Sequence, residues 1–489
     1  MKHSKQISLT LLALMTANLF ACGGGSDTPV VTDGGDSSAE VTEPSRENTP
    51  DSLPADLDFD GLSIRVVFRD VEINVQEMAA EQTGDIIDDA IYARNAAVEE
   101  RLNITLEKLA VGADSNANAT AIRSSVMAGS DDYDIVSGSQ WVILPQALEG
   151  MYMNLNNNKY LDLSQPWWWN DYIDELKVGD KATYFLNGDA SLSSIQNMSC
   201  IFFNKEMIAD LGTTADELYQ LVLDGNWTYD ELSRYSVLAY RDVNGDSTRD
   251  ENDVYGFMAR VNTEPDHFTY TAGNVMNIRD KDGIPSLNVN NERFIGYMET
   301  LYNLYYNNEG VFVTPSEDLM RSRFSDGGTL FLINRFVSAN YLREMKAEYG
   351  IIPFPKYGAD QESYGTLVHD AAAIFAIPVT TTHFDEASAT LEALCAESYR
   401  TVIPAYYEMA LKVKYTSDST AGIIIDMIKN AAKTDFVYAY NYALGGAGLL
   451  CRSMINAKST DFASSWAAIE PSAVKGLGDI IDMYNELEG

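Results

Sequence analysis

The chain has 489 residues, 46% of them hydrophobic and 11% aromatic, and its formal net charge is -38 because 72 acidic side chains face only 34 basic ones. A chain of this length and apolar content can bury a sizeable core in two or three lobes. So acidic a surface repels polyanions, and we therefore exclude DNA, RNA and anionic lipid headgroups as partners.

The first residues have the pattern of a secretory signal. Lys2 and Lys5 precede an apolar run at 7–20, and Cys22 directly follows the small residue Ala21. The run is too short to span a bilayer as a finished helix, so we predict a lipoprotein signal peptide over 1–21 and a lipid on Cys22. An ordinary cleaved signal with an incidental cysteine is the alternative. The lipoprotein interpretation places the protein on the extracellular face of the bacterial cell membrane.

Residues 22–60 are predicted to be a lipidated, disordered acidic tether. They begin with glycines and continue into a tract of Ser, Thr, Pro, Asp and Glu that has too little apolar surface to fold. No later apolar run is long enough to span a bilayer, so Cys22 is the only predicted membrane anchor. The remaining cysteines, Cys200, Cys395 and Cys451, are odd in number and widely spaced, and we expect buried free thiols.

Residues 62–136 alternate between strand and helix patterns. β-rich runs at 62–68, 104–109 and 133–136 are separated by apolar positions at helical spacing over 85–102 and 116–127. This order predicts a parallel sheet with helices on its faces. Because ligands bind beyond the carboxyl ends of such strands, two loops become candidates for a binding site, those at 69–75 and 137–141.

The rest of the chain mixes strand and helix patterns without an internal repeat. Further β-runs are predicted at 184–186, 201–203, 329–333, 350–352 and 371–377. Further helices are predicted at 292–308, 384–399, 421–432 and 473–487.

A series of local sequences then occurs in a consistent order. It comprises Gly84-Asp85 leading into Asp89-Ala90-Ile91-Tyr92 and Val98-Glu99-Glu100-Arg101-Leu102-Asn103, then Phe203-Asn204-Lys205, Tyr349-Gly350-Ile351-Ile352-Pro353-Phe354-Pro355-Lys356, and Pro404-Ala405-Tyr406-Tyr407-Glu408. The series spans nearly the whole mature chain and resembles the extracellular solute-binding proteins of bacterial ABC importers. Within that family it looks like the lipoproteins of the carbohydrate-binding branch, distantly similar to maltose-binding protein.

The resemblance implies an α/β fold of the periplasmic-binding-protein type, with two lobes, hinge strands and an interlobe ligand cleft. By analogy the chain crosses between lobes near 190–203, 368–376 and 404–416. Lobe 1 would comprise 61–195 plus 372–410, and lobe 2 would comprise 196–371 plus 411–489. The implied protein is a monomer that captures a small solute, an oligosaccharide in the carbohydrate branch, and delivers it to the permease subunits of the importer.

Candidate ligand contacts are aromatic and charged residues. An indole is a broad apolar plate with one N–H donor, which suits the C–H face of a sugar ring. Carboxylates and guanidinium groups bind vicinal hydroxyls through paired hydrogen bonds. Each candidate is individually more often a core or ion-paired residue than a ligand contact. The set is Arg69, Asp70, Trp141, Trp167, Trp168, Asp189, Arg335, His369 and Asp370.

An acidic loop at 242–253 matches a calcium loop of the EF-hand type. Side-chain or backbone oxygen at positions one, three, five, seven, nine and twelve suits a hard cation that takes six to eight oxygen ligands. Ser247 stands where glycine usually makes the turn, and an aspartate replaces the final glutamate. A solvated acidic turn is the alternative. The predicted ligands of a structural calcium are Asp242, Asn244, Asp246, Thr248, Asp250 and Asp253.

Catalysis finds little support in the sequence. There is no GxSxG elbow, no HExxH, no paired CxxC and no Gly-Lys dipeptide for a phosphate loop. We therefore expect a binding protein without enzymatic activity or an organic cofactor. Two alternatives stay open: a surface carbohydrate-capture or sensory protein without a transport role, and a secreted glycosidase that uses a pair of carboxylates.

Overall fold

The structure, a computed structural model, describes residues 46–156, 158–407 and 419–487. The predicted signal peptide, Cys22 and the tether up to residue 45 lie outside these ranges. The strands are β1 (Leu62–Phe68), β2 (Ile104–Ala110), β3 (Ile135–Ser139), β4 (Ser199–Asn204), β5 (Tyr255–Ala259), β6 (Asn277–Arg279), β7 (Pro285–Leu287), β8 (Val311–Val313), β9 (Thr329–Arg335), β10 (Tyr349–Ile352), β11 (Thr366–Leu367), β12 (Ala373–Ala376) and β13 (Ala432–Lys433).

Helices surround these strands throughout the described ranges. The α-helices are α1 (Glu72–Ala79), α2 (Ile86–Leu102), α3 (Ser115–Met127), α4 (Gln140–Leu148), α5 (Asn170–Leu176), α6 (Leu192–Gln196), α7 (Lys205–Asp210), α8 (Ala215–Leu223), α9 (Tyr229–Ala239), α10 (Glu264–Thr271), α11 (Glu292–Tyr302), α12 (Glu317–Ser325), α13 (Ser338–Tyr341), α14 (Phe384–Glu397), α15 (Ile403–Tyr406), α16 (Ser419–Asn430), α17 (Phe436–Ala439), α18 (Leu450–Asn456) and α19 (Phe462–Leu487).

The first sheet has the strand order β12-β3-β1-β2 and forms the core of lobe 1. β1 pairs in parallel with both β2 and β3, as the alternation over 62–136 predicts, and β12 joins β3 antiparallel. Buried Val66, Val67 and Ile135 let helices cover both faces of this sheet. Asp85 caps α2 by accepting the backbone N–H of Ile87 at 2.9 Å, which fixes where that helix begins.

The second sheet has the order β10-β4-β9-β5-β8 and forms the core of lobe 2. β9, β5 and β8 run parallel, while β4 is antiparallel to its neighbours β9 and β10. All six residues of β4 are buried, which matches the apolar run predicted at 201–203. The carboxyl ends of β5, β8 and β9 therefore lie on one edge of this sheet.

Within the described residues, the chain passes between the two sheets at least twice. Leu186 pairs with Phe375 of the first sheet, whereas Met198 pairs with Val368 just before β4 enters the second. The return occurs between Val368 and β12. α15 packs on α2 of lobe 1 and α16 packs on β10 and α8 of lobe 2. Most of the crossing predicted at 404–416 falls on residues 408–418, which lie outside the described ranges.

The C-terminal region departs from the expected division of the lobes. The sequence analysis assigns 411–489 to lobe 2, but α17 packs on α4 and α5 of lobe 1. α19 packs on both α4 of lobe 1 and α11 of lobe 2. The C-terminal helices are therefore shared by both lobes, because their apolar faces cover the junction rather than one sheet.

The predicted disordered tether is wrong for residues 46–60, because these residues are ordered against lobe 1. Arg46 donates through Nε to the carbonyl of Tyr399 at 2.7 Å, and Ser52 donates to Glu392 at 2.6 Å. Leu53 is buried in the core. A few such anchors are enough to order a segment whose average composition is that of a disordered chain.

The state of the cysteines agrees with a further expectation. Cys200, Cys395 and Cys451 are free thiols and all three are buried. Within 46–156, 158–407 and 419–487, no helix is both long enough and apolar enough to cross a bilayer.

Candidate functional site: a cavity between the lobes

A cavity of about 540 Å³ lies between the facing edges of the two lobes. This volume is within the range of roughly 300–1,000 Å³ that small-molecule sites occupy. Lobe 1 lines it with Val71, Glu72, Ile73, Gln76, Asp85 and Asp88. The crossing segments contribute Gln196, Asn197 and Ala371, and lobe 2 contributes Arg335, Val337, Asn340, Tyr341 and Arg343.

The strand directions explain why these residues meet. Val71 and Glu72 follow the carboxyl end of β1, and the first turn of α2 begins beside them at Asp85. On the opposite side, Arg335 is the last residue of β9 and is followed by the short helix α13. Both sheets thus direct loops and helix starts into the same gap, the place where ligands bind in open α/β sheets. The loop predicted at 69–75 is part of this wall.

Arg335 is the predicted ligand residue that lines the cavity. Its Nη1 donates to Asn197 Oδ1 at 2.8 Å, and its Nη2 lies 3.8 Å from Glu317 Oε1. Burial alone would raise the pKa of Glu317, but the guanidinium groups of Arg260, Arg335 and Arg321 outweigh it and hold that pKa below its usual value. The ionised Glu317 orients the guanidinium group of Arg335. The N–H groups of Arg335 that do not bond to Asn197 or Glu317 can donate to a molecule in the cavity.

Tyr341 is a cavity residue that the sequence reasoning missed. Its side chain is 56% exposed, and the guanidinium of Arg321 lies 4.4 Å from the ring centroid. Arg321 is itself held by Glu317 at 2.7 Å. The phenol ring is therefore an apolar plate held in place at the cavity wall. The sequence analysis expected a tryptophan to provide such a plate. Its position six residues after the end of β9 was the available signal.

An ion pair joins the two lobes at the same cavity. Nη1 of Arg343 in lobe 2 lies 3.2 Å from Oδ2 of Asp85 in lobe 1. Gln196 also reaches Gln76 of α1 at 3.4 Å. These contacts hold the facing walls together in this conformation.

His369 and Asp370 lie in the second crossing segment, beside the cavity residue Ala371. Tyr438 donates its hydroxyl to Asp370 at 3.0 Å, and burial raises the pKa of Asp370 to about 6. Burial, reinforced by the charges of Arg335, Arg260 and Arg69, holds the pKa of His369 well below its usual value. The neutral imidazole of His369 lies near the ring of His267 in lobe 2, with ring centroids 5.7 Å apart and the ring planes tilted by 35°.

Arg69 and Asp70 occupy the loop after β1, as predicted. Arg69 donates to Asn74 at 3.1 Å and to Ser115 at 2.9 Å, and burial lowers the pKa of its guanidinium. The side chain of Asp70 is exposed, while its backbone N–H donates to Gly112. Arg69 is therefore tied to α1 and α3 at the edge of lobe 1, electrostatically coupled to Asp370.

Trp141 packs against the C-terminal region. Its Nε1 donates to the carbonyl of Tyr438 at 3.3 Å, and its ring lies 5.4 Å from that of Tyr442. It follows β3 at the predicted edge, yet it is not among the residues that line the 540 Å³ cavity. The structure thus groups Arg69, Arg335, His369 and Asp370 around the crossing segments, and Trp141 approaches Asp370 through Tyr438, which bonds to both residues.

Trp167, Trp168 and Asp189 form a separate cluster in lobe 1. Trp167 is 0% exposed, packs near Tyr399, and offers no surface to a ligand in this conformation. Trp168 donates through Nε1 to Glu392 at 2.9 Å. Burial raises the pKa of Asp189 to about 6, although Trp169 donates to it. Trp167, Trp168 and Asp189 do not line the 540 Å³ cavity, and their role as ligand contacts stays a prediction.

The acidic loop at 242–253 has hydrogen bonds that curl it around its own carboxylates. The backbone N–H groups of Gly245 and Ser247 donate to the two carboxylate oxygens of Asp242 at 2.7 and 2.8 Å. Asp246 accepts the N–H of Thr248 at 2.7 Å. Ser247 has φ of 62°, so it adopts the left-handed conformation for which glycine was expected.

The donor set of this loop suits calcium, although it is not assembled as a cage. Asp253 is 1% exposed, accepts the N–H of Val243 through Oδ1, and has no hydrogen-bond partner for Oδ2. Within the described ranges, no three His, Cys, Asp or Glu side chains converge on a point where a metal ion could be held. Calcium at Asp242, Asn244, Asp246, Thr248, Asp250 and Asp253 stays a prediction.

The two lobes, the crossing segments and the cavity between them define the two-lobe fold of ABC-importer solute-binding proteins, and comparison with solved structures confirms this fold class. No model of a known protein family and no curated protein matches the sequence. The solved structures are therefore similar in fold at low sequence identity.

Three of them were solved with three different ligands. The GacH receptor of Streptomyces glaucescens, solved unliganded and with acarbose, is 11% identical, with a TM-score of 0.54, over 87% of this chain and 98% of that one. A binding protein of B. animalis subsp. lactis Bl-04 in complex with beta-1,6-galactobiose is 14% identical, with a TM-score of 0.56, over 85% and 98%. UgpB from Mycobacterium tuberculosis in complex with glycerophosphocholine is 13% identical, with a TM-score of 0.54, over 86% and 98%.

Proposed function

We propose that this protein is an extracellular solute-binding protein of an ABC importer and that it captures a short oligosaccharide by closing its lobes. The observation that carries the proposal is the 540 Å³ cavity, whose walls come from both lobes and from the crossing segments. A ligand that touches both lobes favours the closed arrangement by its differential affinity for that state.

The chemistry of the walls supports a sugar. Amides of Gln76, Gln196, Asn197 and Asn340 line the cavity; each already bonds to a neighbouring residue, so a sugar hydroxyl would use the donors and acceptors that remain, and Arg335 adds guanidinium donors. Tyr341 supplies the apolar plate for the C–H face of a ring. Carboxylates and guanidinium groups are both present, so the cavity favours neither a strongly cationic nor a strongly anionic solute.

Thermal denaturation with a panel of mono-, di- and trisaccharides, and with short peptides for comparison, tests the proposal. A sugar at about a hundredfold over its Kd should add ~2.7 kcal/mol to the free energy of unfolding. Arg335→Ala should abolish this gain in stability. Arg335→Lys keeps the positive charge but loses the two-pronged guanidinium group, and it should retain part of the gain. Stabilisation by peptides alone would contradict the carbohydrate assignment, and release of hydrolysed product would favour a glycosidase.

We further propose that the protein is a monomer held at the extracellular face of the membrane by lipid on Cys22, where it serves the permease subunits of the importer. The support is the signal pattern at 1–21 together with a fold whose solved examples are binding proteins. Cys22→Ala should move the protein from the membrane fraction to the medium and leave solute affinity unchanged. Loss of affinity in that variant would contradict a purely anchoring role.

A further inference from the structure

A second cavity, of about 290 Å³, lies where the tryptophan stretch of lobe 1 meets the end of α16. Trp168, Trp169, Asn170, Asp171 and Tyr172 line one side, and Lys429, Asn430 and Ala432 line the other. It shares no lining residue with the larger cavity between the lobes. Two residues of the tryptophan stretch, Trp168 and Trp169, line this cavity, whereas none of the stretch lines the larger one.

The two indoles are held in place by buried carboxylates. Trp168 donates through Nε1 to Glu392 at 2.9 Å, and Trp169 donates through Nε1 to Asp189 at 2.9 Å. Because both N–H groups are already engaged, only ring carbon surface remains for a molecule in the cavity. Trp169 is half-buried and presents more of this surface than Trp168, which is buried.

The remaining lining residues are polar and of mixed charge. Asn170 and Asn430 are exposed at the surface of the cavity; Asn170 already donates through Nδ2 to the carbonyl of Leu163 at 2.7 Å, and both amides offer an acceptor oxygen. Lys429 lies 4.9 Å from the ring centroid of Tyr407, and Asp171 provides an opposite charge. Because the charges of Lys429 and Asp171 are opposite, the cavity does not favour a charged ligand. A purely apolar ligand is also disfavoured, because it would remove water from the amides without replacing the hydrogen bonds.

We propose that this cavity is a second carbohydrate-binding site that takes one neutral sugar ring. The ring would stack its C–H face on Trp169 and hydrogen-bond through its hydroxyls to Asn430, Asn170 and Lys429. The volume, close to the lower limit of roughly 300 Å³ for small-molecule sites, admits a single ring rather than a chain. The site is independent of whatever solute the larger cavity binds.

The test uses D-glucose, D-galactose and D-mannose as probes, titrated by protein-observed NMR and tryptophan fluorescence. The protein carries Arg335→Ala so that the larger cavity does not contribute. Saturable binding of at least one monosaccharide is expected, weakened about tenfold by Trp169→Ala or by Asn430→Ala. Asn430 is exposed, so its variant should fold normally even where loss of Trp169 disturbs the local packing.

The control is Trp466→Phe, which alters a buried tryptophan of α19 that lines neither cavity. It should leave monosaccharide binding unchanged. The proposal is overturned if none of the three sugars binds saturably, or if binding survives both Trp169→Ala and Asn430→Ala.

Discussion

At the scale of the residue, exposed surface separates binding candidates from core residues. Trp167 has the chemistry expected of a sugar-stacking residue but is fully buried, whereas Tyr341 combines an exposed ring with a brace from Arg321. Arg335 is held by Asn197 and Glu317 and has further N–H groups that can donate to a solute. The side chains that we propose to contact solute are therefore those that neighbouring residues fix in place while one face stays open.

Tyr341→Ala should weaken solute binding by about three- to tenfold, because it removes the apolar plate from the cavity wall. Tyr341→Phe keeps the ring and should bind nearly as well as the native protein. Isothermal titration with the sugar identified by thermal screening measures both. Equal affinity for Tyr341→Ala and the native protein would show that the solute does not touch this ring.

A second residue-scale prediction concerns Glu77 of α1, which is fully buried. Its carboxylate accepts the backbone N–H of Ser193 at 2.6 Å, and the guanidinium of Arg94 lies near it. Burial raises the pKa of Glu77 from 4.5 to about 7 despite these partners. The folded state therefore holds a proton that the unfolded state has released, and stability should fall as pH rises from about 4.5 to about 7.

Thermal denaturation across this pH range checks the prediction, with a slope from Glu77 of at most about 1.4 kcal/mol per pH unit. Glu77→Gln removes the titrating group and keeps an acceptor for Ser193, so it should flatten this part of the profile. The high net negative charge of the protein adds its own slope, which both proteins share. An identical profile for Glu77→Gln would refute the assigned role.

At the scale of the element, short segments control how the lobes are joined. α1 contributes Gln76 to the cavity and, one residue later, Glu77 to the start of α6 in the first crossing segment. One helix thereby connects the binding wall to the segment that links the lobes. The acidic loop before β5 acts more locally, since its side chains bond mainly to its own backbone.

We predict that calcium binds the loop at 242–253 and stabilises lobe 2. Chelation should lower the melting temperature, because the loop carboxylates would then lose a cation that offsets their mutual repulsion. Asp246→Ala should abolish the difference between the calcium-loaded and chelated protein, whereas Asp282→Ala, at an exposed aspartate of another loop, should preserve it. An unchanged melting temperature after chelation would contradict the prediction.

At the scale of the whole molecule, the two lobes meet over a polar cavity, and few direct contacts bridge them there. The Arg343–Asp85 ion pair is one of these contacts, and 53% of the Arg343 side chain and 34% of the Asp85 side chain are accessible to water. Exposed pairs contribute little to stability because water and salt screen them. We therefore expect them to affect the proposed balance between open and closed arrangements rather than folding.

Arg343→Ala should raise the Kd for the solute by about two- to fivefold, mainly through faster dissociation, and should reduce the dependence of Kd on salt. Lys346→Ala removes an exposed positive charge from the same stretch of lobe 2 without touching the cavity and is the matched control. Stopped-flow titrations at low and high salt would measure both variants. If the two variants behave alike, the ion pair has no role in closure.

Local patterns alone determined much of the fold. The alternation at 62–68, the helical spacing over 85–102 and the strand at 104–109 reappear as β1, α2 and β2, because each depends on the period of the chain and on nearby caps such as Asp85. The order of these elements was enough to predict the parallel pairing of the first sheet. Arg335 was likewise recognisable as a charged residue at the end of a strand.

Only the tertiary structure decided which residues share a site. Trp141 packs on Tyr438, nearly three hundred positions away, and Ser52 joins residues 46–60 to Glu392 in α14. Such contacts depend on how separate elements approach one another, which no window of the sequence contains. For the same reason Tyr341 reached the cavity wall and Trp167 the core, although the indole was the stronger candidate by its chemistry alone.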